Sequence, residues 1–514
     1  MFNLKFVSAV SACFEMANDK PYYSNQAYSV KLDGKTIYQD KTENVFSIYD
    51  LQPGRTYTVE IGGESVTFTT DFVSAVINVK DYNAKGDGIF DDTDSIQTAI
   101  DNCIDGGLIV IPCGKYNICP LRLKSKITLY LQNGATFIGQ TNPKLYPILE
   151  GSVIDKDGNE KIISTWEGEI MKNYAPLIGG YDVFDVKIVG LGTIDGNAQN
   201  GPWWQDEYVR SREVARPRAV FLNNCNNVYF HGITVQNGAS WNVHPFFSQN
   251  LGFYDVRINA PKRSPNTDGL NPEACDKVDI IGCVFSTGDD CIAIKAGTRQ
   301  IAEKFKRSAD NYTIRNCLMQ DGHGAVVIGS EMSGGVKNLK VSQCVFKGTD
   351  RGLRIKTRRN RGKLAIVDGV EFSNICMRGV KTPLVINMFY ICGPEGKEEY
   401  VWSRKAFPID DGTPYIGKFI FKDIDCTDCE VCAGYFDGLP EQPIEEIVIE
   451  NVNFIFNDNT IKRQPALTKD TPEVSRWGLY FNFVNKVVLR NVKVENVIGE
   501  KIQQYNCKKL EIIK

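Results

Sequence analysis

At 514 residues the chain exceeds one ordinary globular core, so it builds either two domains or an elongated repeat. Its 42% hydrophobic and 24% charged residues describe an ordered soluble protein, and a formal net charge of −3 argues against a general polyanion binder. No apolar stretch approaches the roughly 20 residues needed to span a bilayer, so neither a membrane nor a nucleic-acid partner is expected.

The start, "MFNLKFVSAVSACFEMANDK", has the lysine and short apolar run of a leader peptide, but Glu15 interrupts it. Lys5 to Met16 is read instead as the first strand of a folded domain. The 16 cysteines are scattered, without the dense framework of small secreted domains, and reduced thiols in a cytoplasm are expected; secretion is the alternative. Residues 1–72 then alternate apolar and polar positions in "AYSVKLDGKTIYQD", "NVFSIYDLQPGRTYTVEIGG" and "ESVTFTT". With turns at Asp33-Gly34 and Pro53-Gly54, this predicts a small antiparallel β-sandwich. "YDLQPGRTYTVEI" resembles the corner and following strand of a fibronectin type III module; a generic all-β cap is the other reading.

After Asp71 comes one helix, in "DYNAKGDGIFDDTDSIQTAIDNCIDGGLIVIPCGKY". Asp92 or Thr93 caps it, acids occupy its first turn, and Gly106-Gly107 end it. The acidic run does not have EF-hand spacing, and Ile89 and Phe90 interrupt it, so capping is preferred to calcium binding.

From there on, short apolar runs such as "DKVDIIGCVFSTG", "NYTIRNCLMQDG", "VKNLKVSQCVFKG" and "EEIVIENVNFIFND" return every 20 to 35 residues or so. No such unit buries its own face, and the halves are too short and β-branched for helices. Residues 73–514 are therefore predicted to form a right-handed parallel β-helix. Cys283, Cys317, Cys344 and Cys376 fall at equivalent places and read as stacked, reduced core residues. "CTDCEVC", Cys426 to Cys432, has spacing that could begin an iron–sulfur or zinc site. No fourth Cys or His lies nearby, and the chain has only three histidines, His231, His244 and His323, so a turn with core packing is preferred and no cofactor or metal is expected.

Four polar clusters lie on consecutive repeats: Asn266-Thr267-Asp268, Gly288-Asp289-Asp290, Gly322-His323-Gly324 and Arg354-Ile355-Lys356. Residues one coil apart stand about 5 Å apart. Three carboxylates, an imidazole, a guanidinium and an ammonium can thus meet on one wall. On a regular strand Asp289 and Asp290 would face opposite ways, so a bend or bulge at Gly288 is expected to turn both outward. Crowded carboxylates repel, so one keeps its proton while others stay ionised. Glycosidic cleavage needs that division, and three acids suit an inverting mechanism. In "DRGLRIKTRRNRGK", Arg354, Lys356 and Arg358 alternate and are expected on one strand face. Beside so many acids they suit a sugar carboxylate better than a phosphate backbone.

These four clusters, in this order on a β-helix, resemble the polygalacturonase family, glycoside hydrolase family 28, over about residues 75–514. The resemblance implies hydrolysis of α-1,4-linked galacturonic acid with inversion and without metal. It makes Asp289 the general acid, gives Asp268 and Asp290 the water, and has His323 support the acid. Arg354 and Lys356 then bind the substrate carboxylate, with Asn266 also on the binding side. "GTIDGNAQNGPWWQ", "RPRAVFLNNC" and "SWNVHPFF" resemble bacterial exo-acting members. Trp203 and Trp204, with an inserted loop at Thr298 to Asp310, are expected to wall off one end of the cleft. Trp241 and His244 either line this site or pack beneath it, and Tyr390 is either a wall residue or a core tyrosine. Rival readings are an endo-polygalacturonase, a rhamnogalacturonan or xylogalacturonan hydrolase, a pectate lyase, and a non-enzymatic adhesin on the same scaffold.

Overall fold

The structure is a computed structural model that describes residues 1–393 and 395–513. Beyond Val76 almost every strand pairs in parallel with the strand one turn earlier, giving a 24-stranded sheet along one side of a parallel β-helix. A second face carries four strands and then seven, linked through isolated bridges at Leu270 and Glu273. Inward side chains set the register: Val278, Tyr312, Leu339, Val370, Phe419 and Ile447 form one buried column. A slip of one residue would turn each of these to solvent, so the column fixes the coil stacking. Residues 388–414 and 457–476 lie largely outside strands, which breaks the repeat interval read from the sequence.

The cysteine spacing departs from that register once. Val284, Leu318, Val345 and Cys376 are register partners, so the residues before them, Cys283, Cys317, Cys344 and Ile375, are equivalent. Cys376 therefore does not belong to the cysteine column and is only half-buried. The first three are buried core thiols, with Cys317 N–H donating to Cys344 Sγ at 3.5 Å. Cys426, Cys429 and Cys432 are likewise buried, and the Cys432 thiol donates to the carbonyls of Gly434 (3.3 Å) and Gly478 (3.2 Å). All sixteen cysteines are free.

Residues 2–69 form two small antiparallel sheets around Phe14, Phe46, Val30, Val59 and Phe68. Lys5 to Met16 is not one strand: Phe2–Val7 and Ala12–Met16 pair as a hairpin around Ser8–Ser11. Glu15, the charge that breaks the apolar start, is buried against the β-helix. It forms ion pairs with Lys5 (2.9 Å) and Arg315 (2.8 Å) and accepts from Asn316 (2.6 Å). His231 is also consumed there, held between Ser11 Oγ (2.8 Å) and Ser47 Oγ (2.9 Å), and burial pushes its imidazole down to about 3.

The helix runs from Thr93 to Asn102. Asp92 does not cap it; its buried carboxylate turns back to accept from the N–H groups of Lys85 (2.5 Å) and Gly86 (3.0 Å). The Thr93 hydroxyl accepts from Cys119 N–H at 2.8 Å. Both side chains close the first turn of the β-helix instead of the helix terminus.

Candidate active site

The second face of the β-helix positions the polar clusters. Leu270, Ile292, Val326 and Leu353 are register partners pointing inward, all fully buried. Two residues before each stand Asp268, Asp290, Gly324 and Arg351. Asp268 thus lies under Asp290, while His323 lies over Asp289; Gly269 N–H donates to Asp290 O (2.9 Å) and His323 N–H to Asp289 O (3.0 Å). The doublet is not inside a strand. Strands Val284–Ser286 and Ile292–Ile294 flank it, and residues 287–291 turn the corner from one sheet to the other. Of the two expected devices it is the bend, at the corner between the strands, that brings both carboxylates to one wall.

Gly288 permits the corner through contact, not through an unusual dihedral. A Cβ at Gly288 would sit 2.5 Å from Ser264 O, Ser264 Oγ and Thr267 Oγ1. The 264–268 loop therefore packs directly on the 288–290 turn. Gly288→Ala is expected to cost about 1–3 kcal/mol of stability by overpacking and to lower activity by pushing Asp268 away from the doublet. A melting temperature and activity equal to the native chain would refute that contact. Gly324 is tight for a related reason: a Cβ there would lie 3.2 Å from Asp290 Oδ1.

The trio divides into three environments. Asp290 is 1% exposed and accepts from Lys356 Nζ at 2.8 Å and from Arg354 Nη1 at 3.5 Å. Burial opposes its ionisation, but Lys356 and then Arg354 outweigh burial and hold the carboxyl down at about 2. Asp268 is also buried, with Asn271 Nδ2 donating to it at 3.0 Å. Burial first, then repulsion from Asp289 and Asp290, pushes it up to about 8. Asp289 is the open member, 25% exposed, and its Oδ1 is 3.0 Å from His323 Nδ1. That hydrogen bond raises the His323 imidazole above its ordinary value, favouring the imidazolium that donates to Asp289. At neutral pH Asp268 therefore keeps its proton beside an ionised Asp290.

The basic run behaves differently from its alternation. Strand Arg351–Lys356 carries Arg354 and Lys356 outward, in register with Val327 and Gly329, so both lean back toward the 290 position to reach the aspartate. Arg358 has left the strand and does not join them; it donates to the Cys392 carbonyl and pairs with Glu395 at 3.0 Å. Tyr390 is buried, and its ring lies 5.9 Å from Lys356 Nζ, which makes it a lining residue of this cluster.

Asn266 is half-buried, and its Oδ1 accepts from Arg216 Nη2 at 2.6 Å. His244 and Trp241 do not reach the cleft. His244 is fully buried; Arg218 Nε donates to its Nδ1 (3.3 Å), so its own proton is on Nε2, which donates to Glu273 Oε2 (2.9 Å). Burial and the neighbouring Arg218 hold that imidazole neutral. Trp241 is also buried, with Arg218 4.4 Å from its ring, Lys295 4.5 Å from it, and Trp166 stacked at 6.0 Å.

Trp166 belongs to the hairpin Thr165–Trp166/Glu169–Ile170, whose tip carbonyl at Gly168 accepts from Thr298 Oγ1 at 2.9 Å. Trp166 itself is buried, stacked on Trp241 and lying 5.3 Å from Arg216 and 4.7 Å from Arg218. Trp203 is buried among Tyr146, Tyr174 and Tyr208, and Trp204 donates to the Gly238 carbonyl at 3.2 Å. Part of the inserted loop is a short helix, Arg299–Phe305. The layer of Arg216, Arg218, Glu273, Lys295 and Glu331 escaped sequence reading. Lys295 alone had a signal, since it alternates outward from Cys291 in the same "DDCIAIK" run. No group of three or more His, Cys, Asp or Glu among the described residues is placed to hold a metal ion.

Residues 119–405 match the family model for Glycosyl hydrolases family 28. A probable polygalacturonase from Vitis vinifera is 30% identical over 380 residues, 72% of this chain and 72% of that protein. An exo-poly-alpha-D-galacturonosidase of Dickeya chrysanthemi is 29% identical over 400 residues, 70% of this chain and 64% of that protein. An endo-polygalacturonase of Pectobacterium carotovorum subsp. carotovorum is 30% identical over 331 residues, 61% of this chain and 76% of that protein. In fold, the chain is similar to the family 28 exopolygalacturonase of Yersinia enterocolitica, with a TM-score of 0.71 at 19% identity over 99% of this chain and 98% of that one.

Proposed function

The chain belongs to glycosyl hydrolases family 28 and is a glycoside hydrolase; on that premise we propose that it is an exo-acting polygalacturonase. It removes α-1,4-linked galacturonic acid units from the ends of galacturonides, with inversion and without a metal. One observation carries the reading: three aspartates from adjacent coils, Asp268 neutral and Asp290 ionised at pH 7, with two cations against Asp290.

In the proposed reaction Asp289 protonates the glycosidic oxygen. It is the open carboxyl of the three, the one a glycosidic oxygen can approach, and the cluster already holds a proton on Asp268 beside it. Asp290, kept ionised, takes a proton from the attacking water with Asp268 beside it. The water oxygen bonds to the anomeric carbon as the bond to the leaving oxygen breaks. The acid's proton leaves with the released chain, and the base keeps the water's proton. Arg354 and Lys356 carry two positive charges against one on Asp290, which leaves a surplus for the carboxylate of a uronic acid.

End-wise cutting is supported by the Trp166 hairpin, which packs on Trp241 and closes over Arg216 and Arg218 on one side of the trio. A relative named as exo-acting and one named as endo-acting match at similar identity, so products decide. Digestion of polygalacturonate is expected to release short products from the first minutes with slow loss of viscosity. Early mixed oligomers with rapid viscosity loss would assign the endo mode instead. A lyase on this scaffold would yield an unsaturated, ultraviolet-absorbing product, which is not expected.

A further inference from the structure

Five arginines are buried: Arg216, Arg218, Arg358, Arg359 and Arg361. Four of them donate to protein acceptors through their terminal nitrogens, although the Nε of Arg216 and of Arg358 is enclosed without a partner. Arg216 serves two carbonyls and Asn266, and Arg218 serves His244, Ser240 and two carbonyls. Arg358 serves Cys392 and Glu395, and Arg359 makes a bidentate pair with Glu441 besides three carbonyls at under 3.2 Å. Arg361 is 6% exposed, yet among the described residues its guanidinium makes no hydrogen bond and no ion pair, and its Nε is wholly enclosed without a partner. An unpaired buried cation is costly, so a site that keeps one is set up for an anion.

Its surroundings say which anion. Arg358, Glu331, Glu395 and Tyr390 are the ionisable groups that face it. Both carboxylates are already taken: Glu331 by Lys295 (2.7 Å) and by the Ser330 hydroxyl (2.7 Å), Glu395 by Arg358 (3.0 Å). Tyr390 also borders Lys356, 5.9 Å from its Nζ, and lies within electrostatic reach of Arg361. Along the strand row between Lys295 and Lys356 the intervening position is Gly329, which leaves that stretch of floor without a side chain. Two uncompensated positive charges therefore border this part of the cleft: one from the Arg354–Lys356–Asp290 group and one from Arg361.

We propose that Arg361 binds the carboxylate of a second uronate unit, adjacent to the one held by Arg354 and Lys356, so that the site recognises two successive acidic sugars. This rests on the galacturonide reading above and extends it from one carboxylate to a pair. The test uses an Asp289→Asn background, which stops turnover, and measures trigalacturonate and galacturonate binding by calorimetry. Adding Arg361→Gln is expected to weaken the trimer about 10–100-fold and the monomer less than about twofold, with Arg361→Lys recovering part of the loss. A trimer affinity within twofold, or equal losses for trimer and monomer, overturns the inference. Should Arg361→Gln not fold, native enzyme and trimers methyl-esterified at single positions decide. Weakening at two positions supports the second site, and weakening at one overturns it. A native chain that neither binds nor cleaves any galacturonide refutes the functional reading and this inference together, whereas native cleavage with an indifferent Arg361 refutes this inference alone.

Discussion

Asp289→Asn is expected to lower kcat on polygalacturonate about 10²–10⁴-fold while KM stays within a few-fold. The amide fills the same volume, and its oxygen can still accept from His323 Nδ1, where Asp289 Oδ1 now lies 3.0 Å away. What is lost is the proton donor for the leaving oxygen. The defect should therefore depend on the leaving group: with a nitrophenyl galacturonide, whose phenolate departs without protonation, the loss should shrink to about tenfold or less. Asp290→Asn should show no such rescue, because the base is needed whatever leaves. It also strands Lys356 and Arg354 without their carboxylate, so its melting temperature should fall as well. Activity of Asp289→Asn within tenfold of native on the polymer, or equal losses on both substrates, would remove Asp289 from the acid role.

How far the sequence could be read follows from which physics was local. Coil stacking was legible because inward residues such as Val278, Leu339 and Phe419 must be apolar and must recur. The four motifs were legible because each sits within three residues of such an inward position. What was not legible is register at single-residue precision. Cys376 sits one place past the cysteine column because nothing in "SNICMRG" says which of its neighbours faces in. Likewise Asp268 stacks under Asp290, and not under Asp289, because the corner at residues 287–291 sets the alignment. For Trp241 and His244 the sequence left lining and packing both open, since their burial depends on Trp166. That residue comes from a hairpin outside the repeat, with no periodicity to announce where it folds back. Arg358 alternated correctly with Arg354 and Lys356 but lay beyond the strand end at Lys356, and alternation cannot see where a strand stops.

Asp268→Asn is expected to remove activity and at the same time raise stability, with a pH dependence whose sign is fixed by the site. The native carboxyl is pushed from an ordinary 3.8 up to about 8, by burial and by its two acidic neighbours. Between those values the folded chain binds a proton that the unfolded chain has released, so this group costs stability as pH rises from about 4 to 8. Asp290 acts in the opposite direction: held down at about 2, it contributes stability above 3.8 that is lost only as pH falls toward 2. An amide at position 268 is neutral throughout and still offers an oxygen to Asn271, whose Nδ2 now donates at 3.0 Å. The variant should therefore melt above the native chain at pH 8, by an amount on the order of 1–3 kcal/mol, and coincide with it near pH 4. Native kcat/KM should decline above about pH 8, as the cluster loses the proton that the leaving oxygen requires. A variant that melts lower at pH 8 would mean that the Asp268 carboxylate is charged and paired in the native site, and the division of labour among the three acids would then have to be drawn differently.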